Sequence, residues 1–138
     1  MEDDVMASEN QKKKILLVDD DEIHLSIAEV ILKSKYQVII ARSGKEALAF
    51  FLRGQFPNLV LLDILMPNMD GWETYNRLKA MSCLQDIPIV FLTSVTGTDE
   101  KNYALEIGAA DYITKPYEEK ELLRRIKKIL GKKKIKDS

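Results

Sequence analysis

The segment ILLVDDDEI, residues 15–23, runs from four apolar residues directly into three aspartates and a glutamate. A continuous apolar run of this kind predicts a buried strand, and the acidic residues then lie where the strand ends. Adjacent carboxylates repel each other, and the cost of ionising them rises beside a core of low polarity. A cation, a nearby lysine or open water must therefore offset the charge of Asp19, Asp20 and Asp21.

Amphipathic segments alternate with further apolar runs along the rest of the chain. Strands are predicted at 14–18, 36–41, 58–63, 87–94 and 110–114, and helices at 21–34, 44–54, 72–82, 99–108 and 118–131. This alternation predicts an α/β fold: a flavodoxin-like (βα)5, doubly wound parallel five-stranded sheet with helices on both faces. In the flavodoxin-like strand order 2-1-3-4-5, the site lies at the switch between strands 1 and 3.

Local signals refine the first two helices. Ser43 is the expected N-cap of the second helix, and Gly54 is its expected stop. The apolar residues that recur at helical spacing in the first helix are Ile23, Ile27, Val30 and Ile31.

Polar side chains follow four of the predicted strands. Asp19 and Asp20 follow strand 1, Asp63 ends strand 3, Thr93 ends strand 4 and Lys115 follows strand 5. Parallel strands bring their carboxyl ends to one edge, so these side chains are expected to lie together. Hard oxygen ligands suit Mg²⁺ or, as the alternative ion, Mn²⁺. A carboxylate can also act as a nucleophile and form an aspartyl-phosphate.

Four motifs carry a resemblance to the response-regulator receiver domain of two-component signalling, the CheY-like superfamily. They are LLVDDD, LVLLDILMPNMDG, PIVFLTS and ADYITKP, which occur in order and at the predicted strand ends. Each motif is weak alone, whereas the four together are specific, and the resemblance covers residues 14–130.

The resemblance implies a role for each matching residue in and around the predicted metal site. Asp63 resembles the phosphoacceptor and a metal ligand, Asp20 a direct metal ligand, and Asp19 a ligand acting through water. The backbone carbonyl of Leu65 would complete the metal's protein ligands. Asp21 has a plainer expected role, as the N-cap of the first helix.

The remaining matches concern phosphoryl binding and switching. Thr93 and Lys115 resemble the groups that hold the phosphoryl oxygens, and Tyr112 resembles the aromatic side chain that changes rotamer on activation. The resemblance also implies a cis bond between Lys115 and Pro116. His24 is expected to be a surface or partly buried residue with no part in phosphoryl transfer.

The function implied is a signalling switch and not an enzyme in the usual sense. A histidine kinase or histidine phosphotransfer protein would supply the phosphoryl group in a Mg²⁺-dependent reaction that the domain itself catalyses. The surface of helix 4, strand 5 and helix 5 would then change its affinity for a downstream protein target, and a phosphorylation-linked homodimer is suggested. Apolar Leu65 and Val95, each two residues after a site residue, predict slow autodephosphorylation because neither can orient an attacking water.

Length and composition bound the remaining expectations. The chain has 138 residues, a formal net charge of -1 and one cysteine, so one domain and no internal disulfide are expected. The predicted organisation is a disordered acidic extension at 1–12, a receiver domain at 13–131 and a basic tail at 132–138. Neither direct nucleic-acid binding nor membrane association is expected. The expected location is the cytoplasm.

Two other function classes stay open at this stage. A haloacid dehalogenase-type phosphatase would use Asp19 as its nucleophile, but that assignment leaves Asp63 and its loop unexplained. A module that only docks partners, or a nucleotide or flavin carrier on a similar fold, is the second class. No glycine-rich phosphate loop follows strand 1, which argues against nucleotide binding.

Overall fold

The computed structural model describes residues 12–132, which form a parallel sheet between two layers of helices. The strands are β1 (Lys14–Val18), β2 (Gln37–Ala41), β3 (Leu59–Leu62), β4 (Ile89–Thr93) and β5 (Asp111–Thr114). The helices are α1 (Glu22–Leu32), α2 (Gly44–Leu52), α3 (Gly71–Lys79), α4 (Thr98–Glu106) and α5 (Glu119–Leu130), with a 3₁₀ turn at Ser82–Leu84.

The strand order is β2-β1-β3-β4-β5, and every pairing is parallel, which confirms the predicted fold and order. β1 and β3 are neighbours, with Val18 opposite Leu62. The next residue on each strand is an aspartate, Asp19 on one and Asp63 on the other. The register therefore brings these two carboxylates side by side at the carboxyl edge of the sheet.

Two apolar clusters cover the two faces of the sheet, as the alternation of side chains along a strand requires. On one face, Leu16, Val60 and Phe91 pack with residues of α2, α3 and α4. On the other face, Ile15 and Leu61 pack with residues of α1 and α5. A sheet buried on both faces holds the strand ends in fixed positions, and those ends carry the site.

Side-chain caps fix where three helices begin. The Asp21 carboxylate accepts hydrogen bonds from backbone N–H groups at the start of α1, Ser43 caps α2 and Asp70 caps α3. The expected caps at Asp21 and Ser43 are confirmed. Gly54, after the end of α2, has a φ of 81°, as a helix stop requires.

Three of the four apolar residues that recur at helical spacing on α1 do not face the core. Ile23, Ile27 and Val30 are 70%, 50% and 65% exposed, whereas the buried residues are Leu25, Ala28 and Leu32. The helix carries two apolar stripes, and both have helical spacing. Spacing alone does not determine which stripe faces the sheet.

Some predicted boundaries and ranges need correction. The third helix was expected to reach residue 82, but α3 ends at Lys79 and the 3₁₀ turn follows. The predicted extension at 1–12 and tail at 132–138 lie outside the described residues, apart from Lys12 and Lys132. No helix within 12–132 combines the length and the apolar character needed to cross a bilayer.

Candidate phosphoacceptor site

Lys115 joins the ends of β1 and β3 at the carboxyl edge of the sheet. Its Nζ lies 2.5 Å from an Asp19 carboxylate oxygen and 3.2 Å from one of Asp63. All three side chains are less than one-tenth exposed. A buried ammonium between two buried carboxylates offsets part of their repulsion. Lys115 therefore supplies one of the offsets expected for the acidic end of β1.

Asp63 is held at both carboxylate oxygens. Oδ1 accepts hydrogen bonds from the backbone N–H groups of Ile64, at 2.7 Å, and Leu65, at 3.4 Å. Oδ2 accepts a hydrogen bond from the Lys115 ammonium. These bonds fix the carboxylate plane at the open end of β3, where a nucleophile must be presented to its substrate.

Asp19 carries the electrostatic cost of the site. Burial raises the pKa of its carboxyl above the ordinary value, and the nearby Asp63 charge acts in the same direction. The Lys115 ammonium and the backbone N–H of Asp21 act in the opposite direction. The raised pKa means that ionised Asp19 is less favourable here than in water, even with Lys115 beside it.

Thr93 and Tyr112 both contact the backbone of Val95. The Val95 N–H donates to Thr93 Oγ1 at 3.3 Å, and the Tyr112 hydroxyl donates to the Val95 carbonyl at 2.6 Å. Thr93 is fully buried and the Tyr112 ring is 2% exposed, packed near Phe91. The Tyr112 side chain therefore points into the protein interior, and the backbone of Val95 links it to the Thr93 hydroxyl at the end of β4.

The backbone at Lys115 is anchored to the same strand end. Its N–H donates to the Thr93 carbonyl at 2.8 Å, which continues the β4–β5 pairing by one residue. The Lys115–Pro116 peptide bond is cis, as the resemblance implies. The sheet edge therefore fixes where the Lys115 side chain starts.

His24 lies in the site, and the sequence interpretation missed it. Its Nδ1 is 3.0 Å from Lys115 Nζ and 3.9 Å from an Asp19 oxygen, and the side chain is 39% exposed. The expectation of partial burial was right, but the residue does contact the predicted machinery. The available signal was its place in the first turn of a helix capped by Asp21, because that turn adjoins the end of β1.

Residues 15–127 match the family model described as the response regulator receiver domain. The chain belongs to this family. The match confirms the predicted recognition, and it places the domain among the components of two-component signalling. It also removes the phosphatase and nucleotide-carrier alternatives.

Several relatives share this receiver domain. The chain is 44% identical over 123 residues to "Probable transcriptional regulator ycf27" of Porphyra purpurea, with 88% of this chain and 49% of that protein covered. It is 36% identical over 117 residues to the response regulator PleD of Caulobacter vibrioides, with 84% of this chain and 26% of that protein covered. The chain thus spans about half the length, or less, of the curated relatives that it matches.

Solved structures show the same architecture. A CheY-like receiver domain protein from Methanospirillum hungatei is 35% identical with a TM-score of 0.77, covering 87% of this chain and 94% of that one. The receiver domain of the sensor histidine kinase PA1611 from Pseudomonas aeruginosa is 28% identical with a TM-score of 0.79, covering 88% and 99%. That second structure has a magnesium ion coordinated in its active-site cleft.

The receiver's acidic site also fits a divalent cation in its donor set. One ligand atom each from Asp19, Asp63 and His24 lies within 4.8 Å of the other two, but the His24 nitrogen is not a ligand type that Mg²⁺ prefers. Two buried carboxylates on adjacent strands offer the hard oxygen ligands that Mg²⁺ prefers. Asp20 is exposed and lies outside this cluster of described residues, and Leu65 is 58% exposed with its backbone at the site. Their roles as ligands stay predictions.

A cavity of about 640 Å³ opens along the loop that follows Asp63. Leu65 and Val95 line it together with Trp72, Ile64 and other residues. Leu65 and Val95, the two apolar residues expected to slow autodephosphorylation, therefore line one space. Asp70, Trp72 and Glu100 are the residues lining this cavity whose side chains carry a polar N–H group or carboxylate that could orient a water molecule.

Proposed function

We propose that this receiver is a phosphorylation-activated switch whose phosphoacceptor is Asp63. The observation that carries the proposal is the convergence of Asp63 with Asp19 and Lys115 at the ends of β1, β3 and β5. Strand register and strand order bring the three together from distant parts of the chain. Membership of the receiver family supports the same assignment.

The reaction proposed is phosphoryl transfer from a histidine. A carboxylate oxygen of Asp63 attacks phosphorus, the new P–O bond forms as the P–N bond to the donor imidazole breaks, and the nitrogen keeps the bonding electron pair. The donor is a histidine kinase or a histidine phosphotransfer protein. Lys115 and the Thr93 hydroxyl hold the phosphoryl oxygens, which carry the charge in the transition state.

A divalent cation, Mg²⁺ or alternatively Mn²⁺, is proposed for the acidic cluster. Asp63, Asp20 and the Leu65 carbonyl would hold it directly, and Asp19 would hold it through water. When bound, the cation neutralises charge on the carboxylates and the phosphoryl oxygens. Support comes from the buried oxygen donors here and from the magnesium in the related PA1611 receiver.

The output of the switch is proposed to pass through Val95. Its backbone contacts both the Thr93 hydroxyl and the Tyr112 hydroxyl, so movement of Thr93 toward a phosphoryl oxygen would disturb both. The surface of α4, β5 and α5 would then favour one of two states and change its affinity for a downstream protein. Homodimerisation through α4 and α5 is one form that this output could take.

The test is the mass of the intact protein after incubation with Mg²⁺ and acetyl phosphate. We expect one added phosphoryl group on the wild type, no adduct in EDTA and no adduct on Asp63→Asn. Asp99→Asn is the matched control, because it makes the same chemical change on exposed α4, and it should gain the adduct.

Two other outcomes would contradict the proposal. An adduct that survives Asp63→Asn would move the nucleophile to another residue, with Asp19 the first candidate. An unmodified wild type, with both acetyl phosphate and a panel of phosphorylated histidine donors, would reduce the receiver to a docking module.

A further inference from the structure

The Lys115 ammonium has three N–H donors, and its three described partners match that number. They are the Asp19 carboxylate at 2.5 Å, the Asp63 carboxylate at 3.2 Å and His24 Nδ1 at 3.0 Å. Two of the three, Asp19 and Asp63, are acids that are proposed to interact with the cation or the phosphoryl group during the reaction. His24 is the partner that the family motifs do not include.

The contact gives Nδ1 of the imidazole one role. An ammonium is only a donor, so in its contact with Lys115 Nδ1 acts as the acceptor. The backbone of His24 is held as well, because its N–H donates to the Asp21 cap at 3.1 Å. A helix start of this kind presents the Nδ1 acceptor from a rigid position.

Lys115 has an alternative place to go. A cavity of about 390 Å³ borders its side chain and is lined by Ile27, Ser94, Pro116 and Tyr117, together with His24 and Lys115 themselves. Once phosphorylation and the cation draw on Asp63 and Asp19, the two carboxylates hold the ammonium less firmly. Without His24 the ammonium would lose one of its acceptors, and the long lysine side chain would have this space to turn into, away from the phosphoryl oxygens.

We propose that His24 is a positioning residue for Lys115: its Nδ1 keeps the ammonium directed at the Asp63 phosphoryl group while the carboxylates are engaged. This inference rests on the proposed function. His24 contacts no reacting atom, and it acts only through Lys115. Loss of the acceptor should therefore slow the phosphoryl step and leave the binding of Mg²⁺ little changed.

The matched variants are His24→Asn, His24→Gln and His24→Leu. The Asn side-chain oxygen can take the place of Nδ1, the Gln oxygen lies one bond further out, and Leu has no acceptor. We expect His24→Leu and His24→Gln to lower the maximal phosphorylation rate by acetyl phosphate about tenfold. His24→Asn should recover most of that rate, and the Kd of Mg²⁺ should stay within about twofold for all three variants.

A second readout needs no phosphoryl donor. In ¹⁵N NMR of the full chain with Mg²⁺, the Lys115 ammonium should give a signal with slow hydrogen exchange in the wild type and in His24→Asn. That signal should be lost in His24→Leu, while the spectrum of the backbone shows an intact fold. The His24 ring should show an unprotonated Nδ1 in the wild type.

The outcomes separate this inference from the proposed function. Equal phosphorylation rates and equal ammonium signals in the wild type and His24→Leu would overturn the positioning role. A protonated Nδ1 would overturn it too. A wild type that takes no phosphoryl group, yet keeps the His24-dependent ammonium signal, would overturn the proposed function while supporting the contact.

Discussion

Asp19 is 3% exposed, and burial raises the pKa of its carboxyl above the ordinary value of about 3.8. The folded chain therefore holds that proton more tightly than the unfolded chain does. As pH rises from below 3.8 through the raised native pKa, the free energy of unfolding falls by the cost of ionising the buried group. At neutral pH this cost is fully present.

Replacing Asp19 with Asn should stabilise the protein in the absence of Mg²⁺. We expect the free energy of unfolding at pH 7 to rise by about 1 kcal/mol, because a buried charge is removed and Lys115 keeps Asp63. The gain should shrink toward zero as pH falls below 3.8. Urea denaturation in EDTA across this pH range measures it.

Asp20→Asn is the control, because it makes the same change at the adjacent, exposed position. It should alter stability much less. A destabilised Asp19→Asn at pH 7 would show instead that the pairing with Lys115 outweighs the cost of burying the charge.

The apolar side chain of Leu65 should prolong the life of the phosphorylated state. Leu65→Asn places an amide beside Asp63, where it can orient an attacking water, and we expect hydrolysis to become about tenfold faster. The measurement is the decay of the intact-mass adduct after acetyl phosphate is removed. Leu65→Met keeps the position apolar and should decay like the wild type; equal decay of the Asn variant would contradict the explanation.

At the scale of single residues, the motif residues could be identified from the sequence, but not all of their contacts could. Asp63 and Lys115 were recognised because residue type and position at a strand end coincide. His24 was passed over because its contact with Lys115 depends on where the first turn of α1 lies in space. Residue order along the chain does not contain that information.

At the scale of elements, Gly71 determines how closely α3 approaches β3. Its N–H donates to the Ile64 carbonyl at 2.8 Å, and a Cβ there would lie 2.3 Å from the Asp63 carbonyl oxygen and 2.5 Å from Ile64 Cα. Both obstacles are backbone atoms, which cannot turn away as a side chain can. The start of α3 and the backbone of Asp63, the proposed phosphoacceptor, are thus in close contact.

Gly71→Ala should cost about 2–3 kcal/mol of stability, and the folded fraction should be phosphorylated more slowly because Asp63 is displaced. Gly54→Ala is the comparison: nothing lies within 4 Å of its added Cβ, but its φ of 81° strains an alanine. The Gly54→Ala variant should lose about 1 kcal/mol of stability and keep its phosphorylation rate. Urea denaturation measures the loss of stability, and the intact-mass assay measures the phosphorylation rate. A Gly71→Ala variant that is phosphorylated as fast as the wild type would contradict the displacement of Asp63.

The two apolar stripes of α1 show what periodicity cannot decide. Helical spacing correctly predicted a helix at this place. The choice between the stripe of Leu25 and the stripe of Ile27 depends on how the chain leaves β1 and where α5 packs. Those are tertiary constraints, so helical spacing alone does not indicate which stripe is buried.

At the scale of the whole molecule, alternation predicted a parallel sheet with helical crossovers, which admits few arrangements, and the flavodoxin-like order 2-1-3-4-5 was the one expected. That order makes β1 and β3 neighbours and turns two distant aspartates into one site. A cation held by both strands binds the folded chain only, because the unfolded chain keeps the aspartates apart. Its binding energy is therefore added to the stability of the fold.

Magnesium should accordingly stabilise the receiver, by about 1.4 kcal/mol at a Mg²⁺ concentration ten times its Kd. Urea denaturation in Mg²⁺, compared with NaCl of equal ionic strength in EDTA, measures the gain. Asp63→Asn removes a proposed ligand and should lose most of it, whereas Asp99→Asn on α4 should keep it. An equal gain in NaCl, or a full gain in Asp63→Asn, would mean that general screening of charge, and not a cation shared by β1 and β3, stabilises the acidic edge.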